Sequence, residues 1–194
     1  MGNNQSLSNQ LKEFLLKWKK EQCNKKSISL KILFFMLGVL VVLLTAIPMH
    51  VWAMHAPKSQ YGENGFIVIL ITTNSGIAFS GLANQSGLIY FLQTFMILFL
   101  LVILVFSKKW FYQILIGLAS TGALFNLIDR AIPKVIVSLG EQVYTNVVLD
   151  YFSFFGKSAI FNFPDVWILT GIIGLVVINI IFTSIETIKE RKKE

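Results

Sequence analysis

The sequence has little charge and almost no cysteine. Asp, Glu, Lys and Arg make up 14% of its 194 residues, whereas soluble domains contain about 25%. The single cysteine, Cys23, excludes an internal disulfide, a thiolate metal cluster and a CxxC redox centre. GxSxG, P-loop and GxGxxG motifs are missing, and His50 and His55 lack the HExxH spacing of zinc proteases. These absences argue against a soluble enzyme and against the common nucleotide, serine and zinc chemistries.

Long uncharged runs are abundant instead. Hydrophobic residues make up 55% of the chain, and its mean hydropathy is +0.68. A bilayer core needs about 20 mostly apolar residues per spanning helix, and four such runs occur, at residues 32–49, 88–107, 110–128 and 166–185. They predict an all-α membrane protein with four transmembrane helices. No A-x-A-like cleavage site follows the first run, so we expect it to be a retained helix rather than a signal peptide.

The positive charges divide unevenly between the two ends of these helices. Of the 17 Lys and Arg residues, 13 flank the ends that would share a side with both termini, whereas segments 50–87 and 129–165 hold only 4. The positive-inside rule then predicts cytoplasmic termini in a multi-pass plasma-membrane protein. Segments 50–87 and 129–165 should form a small extracytoplasmic subdomain of β-like or loop structure. Topology explains the net charge of +7, so no nucleic-acid partner is needed.

Residues 1–29 precede the membrane domain, which we place at residues 30–185, and a basic cytoplasmic tail at 186–194 follows it. Apolar residues recur at helical spacing in the first segment, with lysines between them: Leu7, Leu11, Phe14, Leu15 and Trp18. This pattern is typical of a helix that lies on anionic headgroups. A solvated charged tail is the alternative.

Polar residues at membrane depth indicate where the chemistry lies, because a charge there costs several kcal/mol unless it has a partner or a function. Asn126, Asp129 and Arg130 lie three and four residues apart at the end of the third run and therefore share one helix face. Asn162 and Asp165 precede the fourth run with the same spacing of three. The simpler interpretations are a neutralised Asp129–Arg130 pair and an Asp165 that the helix dipole favours in the first turn.

Asp150 is harder to explain as a structural residue. It lies within the apolar run 147–152, where no neighbour supplies a cation, so we expect a raised pKa. Two carboxyl groups held close together share a proton, and such a pair can activate water while protonating a leaving group. The arrangement suits peptide hydrolysis without a metal, thiol or serine.

The polar segment 72–80 could contribute to the same site. It is too polar to span a membrane, and it could form a short sheet or a re-entrant piece in which Asn74 donates to the substrate backbone. A plain loop is the alternative.

Several motifs in order resemble those of the prolipoprotein signal peptidases, also called signal peptidase II. They are Asn74-x-Gly76-x-Ala78-Phe79-Ser80, Gly122-Ala123-Leu124-x-Asn126-Leu127-Ile128-Asp129-Arg130, Val148-Leu149-Asp150-Tyr151 and Phe161-Asn162-x-x-Asp165. The resemblance implies a four-helix membrane enzyme that removes the signal peptide ahead of a diacylglyceryl-modified cysteine, with an aspartate dyad and without metal or cofactor. Its partners would be the lipidated precursor and membrane lipid.

By the same resemblance the catalytic dyad falls on Asp150 and Asp165. The supporting and substrate-orienting positions fall on Asn74, Gly76, Asn126, Asp129, Arg130 and Asn162. The pairing of Asp129 with Asp165 is a competing dyad. We expect a monomer, although the sequence leaves the oligomeric state open.

The chain also departs from that family's pattern. The first helix of the family carries an Asp and a Lys, but neither occurs between Lys31 and His50 here, so that pair is absent or replaced. Phe125, Ile77 and Pro164 are further replacements, and the stretch from Arg130 to Asp150 is longer than usual. These differences predict a divergent member. A non-catalytic membrane protein, either a small proton- or cation-linked transporter or a lipoprotein-binding subunit, is the alternative function.

Overall fold

The computed structural model describes residues 2–22, 25–62, 65–76, 81–83, 85–154 and 159–191. Cys23 and the motif residues at 77–80 lie outside the described residues, as do the side chains of Leu7 and Trp18.

Helices dominate the described chain. They are α1 (Gly2–Gln22), α2 (Lys25–His55), α3 (Ser86–Phe106), α4 (Trp110–Ala131) and α5 (Phe163–Arg191). Within the described residues, α2 to α5 are the four helices that are long and apolar enough to cross a membrane. The prediction of a four-helix membrane protein with a small sheet portion is confirmed, and the protein is multi-pass.

The helices extend beyond the uncharged runs that predicted them. Helix α2 continues through His50 to His55, and α5 begins at Phe163 rather than at residue 166. Both extensions lie at the same end of the bundle, where the sheets also lie, and we call it the sheet end. A charge limits how far a helix can be buried in lipid, but it does not end the backbone hydrogen bonding.

Helix α4 is the centre of the bundle and packs against α2, α3 and α5. Glycines allow two of these close approaches. A Cβ atom on Gly117 would lie 2.5 Å from the carbonyl oxygen of Phe35 on α2, and one on Gly171 of α5 would lie 2.5 Å from that of Leu115 on α4. Small residues at such crossings let membrane helices approach closely.

The described residues form two antiparallel sheets at the sheet end of the bundle. The larger contains β1 (Gln60–Tyr61), β2 (Ile67–Asn74), β5 (Val148–Phe154) and β6 (Ile160–Phe161) in the order β1-β2-β5-β6, and the smaller pairs β3 (Lys134–Val135) with β4 (Val143–Tyr144). For residues up to Asn74, the sheet interpretation of segment 72–80 is therefore correct and the plain loop is wrong.

Strand β5 joins the sheet to the bundle. Its residues Leu149 and Tyr151 pack in one buried cluster with Ala53 of α2 and Ile71 of β2. Side chains alternate between the two faces of a strand, so Asp150 faces away from this cluster. The apolar flanks of Asp150 thus anchor the strand, and the aspartate is directed elsewhere.

Candidate active site

Asp150 lies in the middle of the sheet end, with 1% of its surface exposed. It pairs in register with Thr72 of β2. The Asn162 amide donates to Asp150 Oδ1 at 2.8 Å, and the Asn74 amide donates to Oδ2 at 3.0 Å. Each carboxyl oxygen therefore has an amide donor.

Asp165 lies in the first turn of α5, where it forms a reciprocal cap with Asn162. The Asp165 N–H donates to Asn162 Oδ1 at 2.9 Å, and the Asn162 N–H donates to Asp165 Oδ2 at 3.2 Å. This is the geometry of a capping box, with an amide and a carboxylate in the two roles. Asp165 thus has the capping role, and the same cap fixes the position of its carboxyl group.

Two asparagine side chains connect the carboxyl groups. The Asn126 amide donates to Asp165 Oδ1 at 2.7 Å, and the Asn162 amide donates to Asn126 Oδ1 at 3.2 Å as well as to Asp150. A continuous amide chain therefore runs from one aspartate to the other. Together with Asn74, five of the eight predicted site residues lie in one hydrogen-bonded network.

Burial and charge change the acidity of Asp150. Desolvation raises its pKa to about 7, and the nearby Asp165 carboxylate acts in the same direction. The amides of Asn74 and Asn162 and the Arg130 guanidinium oppose this rise. Asp150 can therefore hold a proton near neutral pH, as the sequence predicts for a carboxyl group in an apolar run.

Gly76 and Arg130 hold the side chain and the backbone of Asn74 in place. The Gly76 N–H donates to Asn74 Oδ1 at 2.9 Å, which orients that amide. Arg130, which is buried, donates to the main-chain carbonyls of Gly76, Asn74 (3.1 Å) and Asn146 (3.4 Å). The guanidinium therefore fastens the end of β2 to the segment before β5.

Asp129 lies outside this amide network. Its carboxylate forms an ion pair with Lys134, lies 3.2 Å from His50 Nε2 and accepts the Leu149 N–H at 2.8 Å. The predicted neutral pair of Asp129 with Arg130 is wrong, because the buried Lys134 takes that place. The competing dyad of Asp129 with Asp165 receives no support, since Asp129 is already engaged.

Lys134 and His50 were missed by the sequence reasoning. His50 lies in α2 rather than in the expected loop, and Lys134 begins the short strand β3. Neither belongs to a motif. The available signal was the long stretch between Arg130 and Asp150, which contains Lys134. Within the described residues, no three His, Cys, Asp or Glu side chains converge as a metal site.

Comparisons with known proteins agree with this architecture. The sequence profile of the family described as "Signal peptidase (SPase) II" matches residues 37–182. The lipoprotein signal peptidase of Malacoplasma penetrans (strain HF-2) is 36% identical over 173 residues, which cover 87% of this chain and 72% of that protein. The lipoprotein signal peptidase of Mycoplasmoides gallisepticum is 40% identical over 131 residues. That match covers 68% of this chain but spans only 42% of the relative.

A solved structure described as "Bacterial membrane enzyme structure by the in meso method at 2.3 A resolution" has a similar fold. Its TM-score is 0.63 with 23% sequence identity, and the match covers 81% of this chain and 91% of that one. The profile match extends from α2 to α5 and includes every residue of the amide network. The chain belongs to the signal peptidase II family.

Proposed function

We propose that this protein is a membrane aspartic endopeptidase that removes the signal peptide from diacylglyceryl-modified prolipoproteins, cutting ahead of the lipidated cysteine. One observation carries the proposal: Asp150 and Asp165, from a strand and a helix, are joined through Asn162 and Asn126 at the sheet end of a membrane bundle. Relatives that bear the name lipoprotein signal peptidase support the choice of substrate.

The proposed reaction uses the two carboxyl groups in different states. Asp150 holds a proton, since its pKa is raised to about 7, and Asp165 begins the reaction ionised. Asp165 takes a proton from water as the water oxygen bonds to the scissile carbonyl carbon, while Asp150 protonates the carbonyl oxygen. The C–N bond then breaks. Asp165 returns its proton to the leaving amine of the lipidated cysteine, and Asp150 recovers a proton as the new carboxyl group forms.

The charge distribution supports one orientation of this site. With 13 of 17 basic residues near the opposite end, the termini face the cytoplasm and the sheet end lies at the outer leaflet. The two acyl chains of a lipidated substrate can stay in the bilayer there while the scissile bond reaches the carboxyl groups. Membrane lipid and the precursor are thus the proposed partners, and we propose that a single copy is sufficient.

Helix α1 has a separate proposed role on the cytoplasmic surface. Leu11, Phe14 and Leu15 are exposed, with Lys12 and Lys17 on the adjoining faces. Such a helix binds a surface that offers both apolar depth and negative charge. In nanodiscs, amide hydrogen exchange across residues 9–20 should be slower with anionic than with zwitterionic lipid. Equal exchange rates would contradict membrane binding.

A gel-shift assay tests the enzymatic proposal. The purified full chain is incubated with a diacylglyceryl-modified precursor and with the same precursor lacking the lipid. We expect cleavage of the lipidated form alone, and Asp150→Asn and Asp165→Asn should each lower the rate by at least about a thousandfold, as for catalytic groups that act as a unit. Glu141→Gln is the matched control, because it neutralises an exposed carboxylate outside the network.

The result also decides between the proposal and its alternatives. Wild-type cleavage that survives Asp150→Asn would refute the dyad. Precursor binding without turnover would favour a non-catalytic lipoprotein-binding protein. A transporter would place its ionisable residues near the middle of the membrane, whereas Asp150 and Asp165 lie on β5 and in the first turn of α5. No observation favours transport.

A further inference from the structure

A buried ammonium group lies behind the proposed dyad and belongs to no motif. Lys134 is 7% exposed. Its Nζ donates to the carboxylate and the main-chain carbonyl of Asp129 and, at 2.8 Å, to the carbonyl of Val147. All three protons of the ammonium group therefore have acceptors. Lysine is rarely buried without such pairing, so the segment around it is built to hold this charge.

The ion pair fastens the backbone just before Asp150. Lys134 binds the Val147 carbonyl, and the second oxygen of Asp129 accepts the Leu149 N–H at 2.8 Å. These two bonds lie on either side of Val148. The position of β5 is thus set directly ahead of the residue whose carboxyl group enters the amide network.

This edge of β5 needs such support. On one side, β2 pairs with residues 148–150. On the other side, the register of β6 reaches only Phe152 and Ser153. In the described part of the chain, the Lys134–Asp129 pair occupies the unpaired side at Val147 and Leu149. The pair takes the place of a neighbouring strand directly before Asp150.

We propose that Lys134 is a positioning residue for Asp150. Lys134 acts through Asp129 and the start of β5. The inference rests on the proposed function, since it assigns Lys134 to that same site. The hairpin of β3 and β4 thereby supplies the cation required by Asp129, which no residue of α2 between Lys31 and His50 provides.

His50 offers a way to separate charge from packing. Its Nε2 lies 3.2 Å from the same Asp129 oxygen that Lys134 contacts. A lysine in place of this histidine would approach that oxygen from α2 instead of from β3. If Asp129 needs a cation to hold Leu149 in place, the origin of the cation should matter less than its presence.

The experiment measures kcat and KM for cleavage of the lipidated precursor, together with folded yield from gel filtration. Lys134→Met should lower kcat ten- to hundredfold, as expected when a reacting group is displaced by about 1 Å, while KM changes less than about threefold. Adding His50→Lys to Lys134→Met should restore kcat to within about fivefold of wild type. Lys58→Met, which removes an exposed lysine from the sheet end, should leave both constants unchanged.

A second variant covers the case in which Lys134→Met fails to fold. Asp129→Asn with Lys134→Met leaves no unpaired buried charge and should therefore fold. The Leu149 N–H then loses its charged acceptor on Asp129, so kcat should stay low. Wild-type kcat in that double variant would overturn the positioning role, as would unchanged kcat in Lys134→Met or no recovery with His50→Lys. If the wild-type chain cleaves nothing, the proposed function fails and this role fails with it.

Discussion

Replacing Asp150 by asparagine should change how the stability of the protein depends on pH. In the unfolded chain an aspartate releases its proton near pH 3.8, whereas burial raises the pKa of folded Asp150 to about 7. Between these values the folded state binds more protons than the unfolded state. Rising pH therefore destabilises the folded wild-type protein through this one group.

The expected size follows from the shift of the pKa. The two values differ by about three units, and each unit corresponds to about 1.36 kcal/mol. Ionising Asp150 in place thus costs the folded state about 4 kcal/mol, present above pH 7 and absent below pH 4. The asparagine of the variant does not ionise and has no such cost. It disturbs the bonds from Asn74 and Asn162, but that penalty is the same at every pH.

Unfolding in detergent, followed by tryptophan fluorescence, measures this effect. The free energy of unfolding of Asp150→Asn minus that of wild type should rise by about 4 kcal/mol from pH 4 to pH 8. The matched control Glu141→Gln, at an exposed position, should show no such trend. A constant difference for Asp150→Asn across that range would refute the raised pKa, whatever the variant does to cleavage.

Further predictions concern activity and packing. The cleavage rate should fall about tenfold per pH unit well above pH 7, because Asp150 then lacks its proton; a flat rate to pH 9 in initial-rate assays would contradict this assignment. Gly171→Val should lower the melting midpoint by an amount equivalent to about 1–3 kcal/mol, since its Cβ meets backbone on α4, while Gly174→Ala meets only a flexible side chain and should be tolerated. Asp129→Asn should reduce folded yield in gel filtration, because it leaves Lys134 buried without its counter-charge, a loss of about 3–5 kcal/mol.

The sequence predicts the membrane helices well because lipid selects for long uncharged runs. Their ends were misjudged for the same reason: His50 looks like the start of a loop, yet α2 continues past it. The raised pKa of Asp150 could be predicted, because a lone acid in an apolar run is a local signal. Lys134 could not be identified, because α4 ends between Asp129 and Lys134, so helical spacing does not predict their contact. The burial of this ion pair also depends on its contacts with Val147 and Leu149, which the sequence does not show.

The position of Lys134 on β3 has a consequence for how the chain enters the membrane. Between Ile32 and Met49 the first span carries no ionisable side chain. A lysine or aspartate at the centre of a span raises its insertion free energy by about 2.5–3.5 kcal/mol. The cation for Asp129 lies on β3, between the third and fourth spans. The first span therefore enters the lipid without the cost of a charged side chain. Both members of the ion pair, Asp129 and Lys134, are synthesised later, at the end of the third span and directly after it.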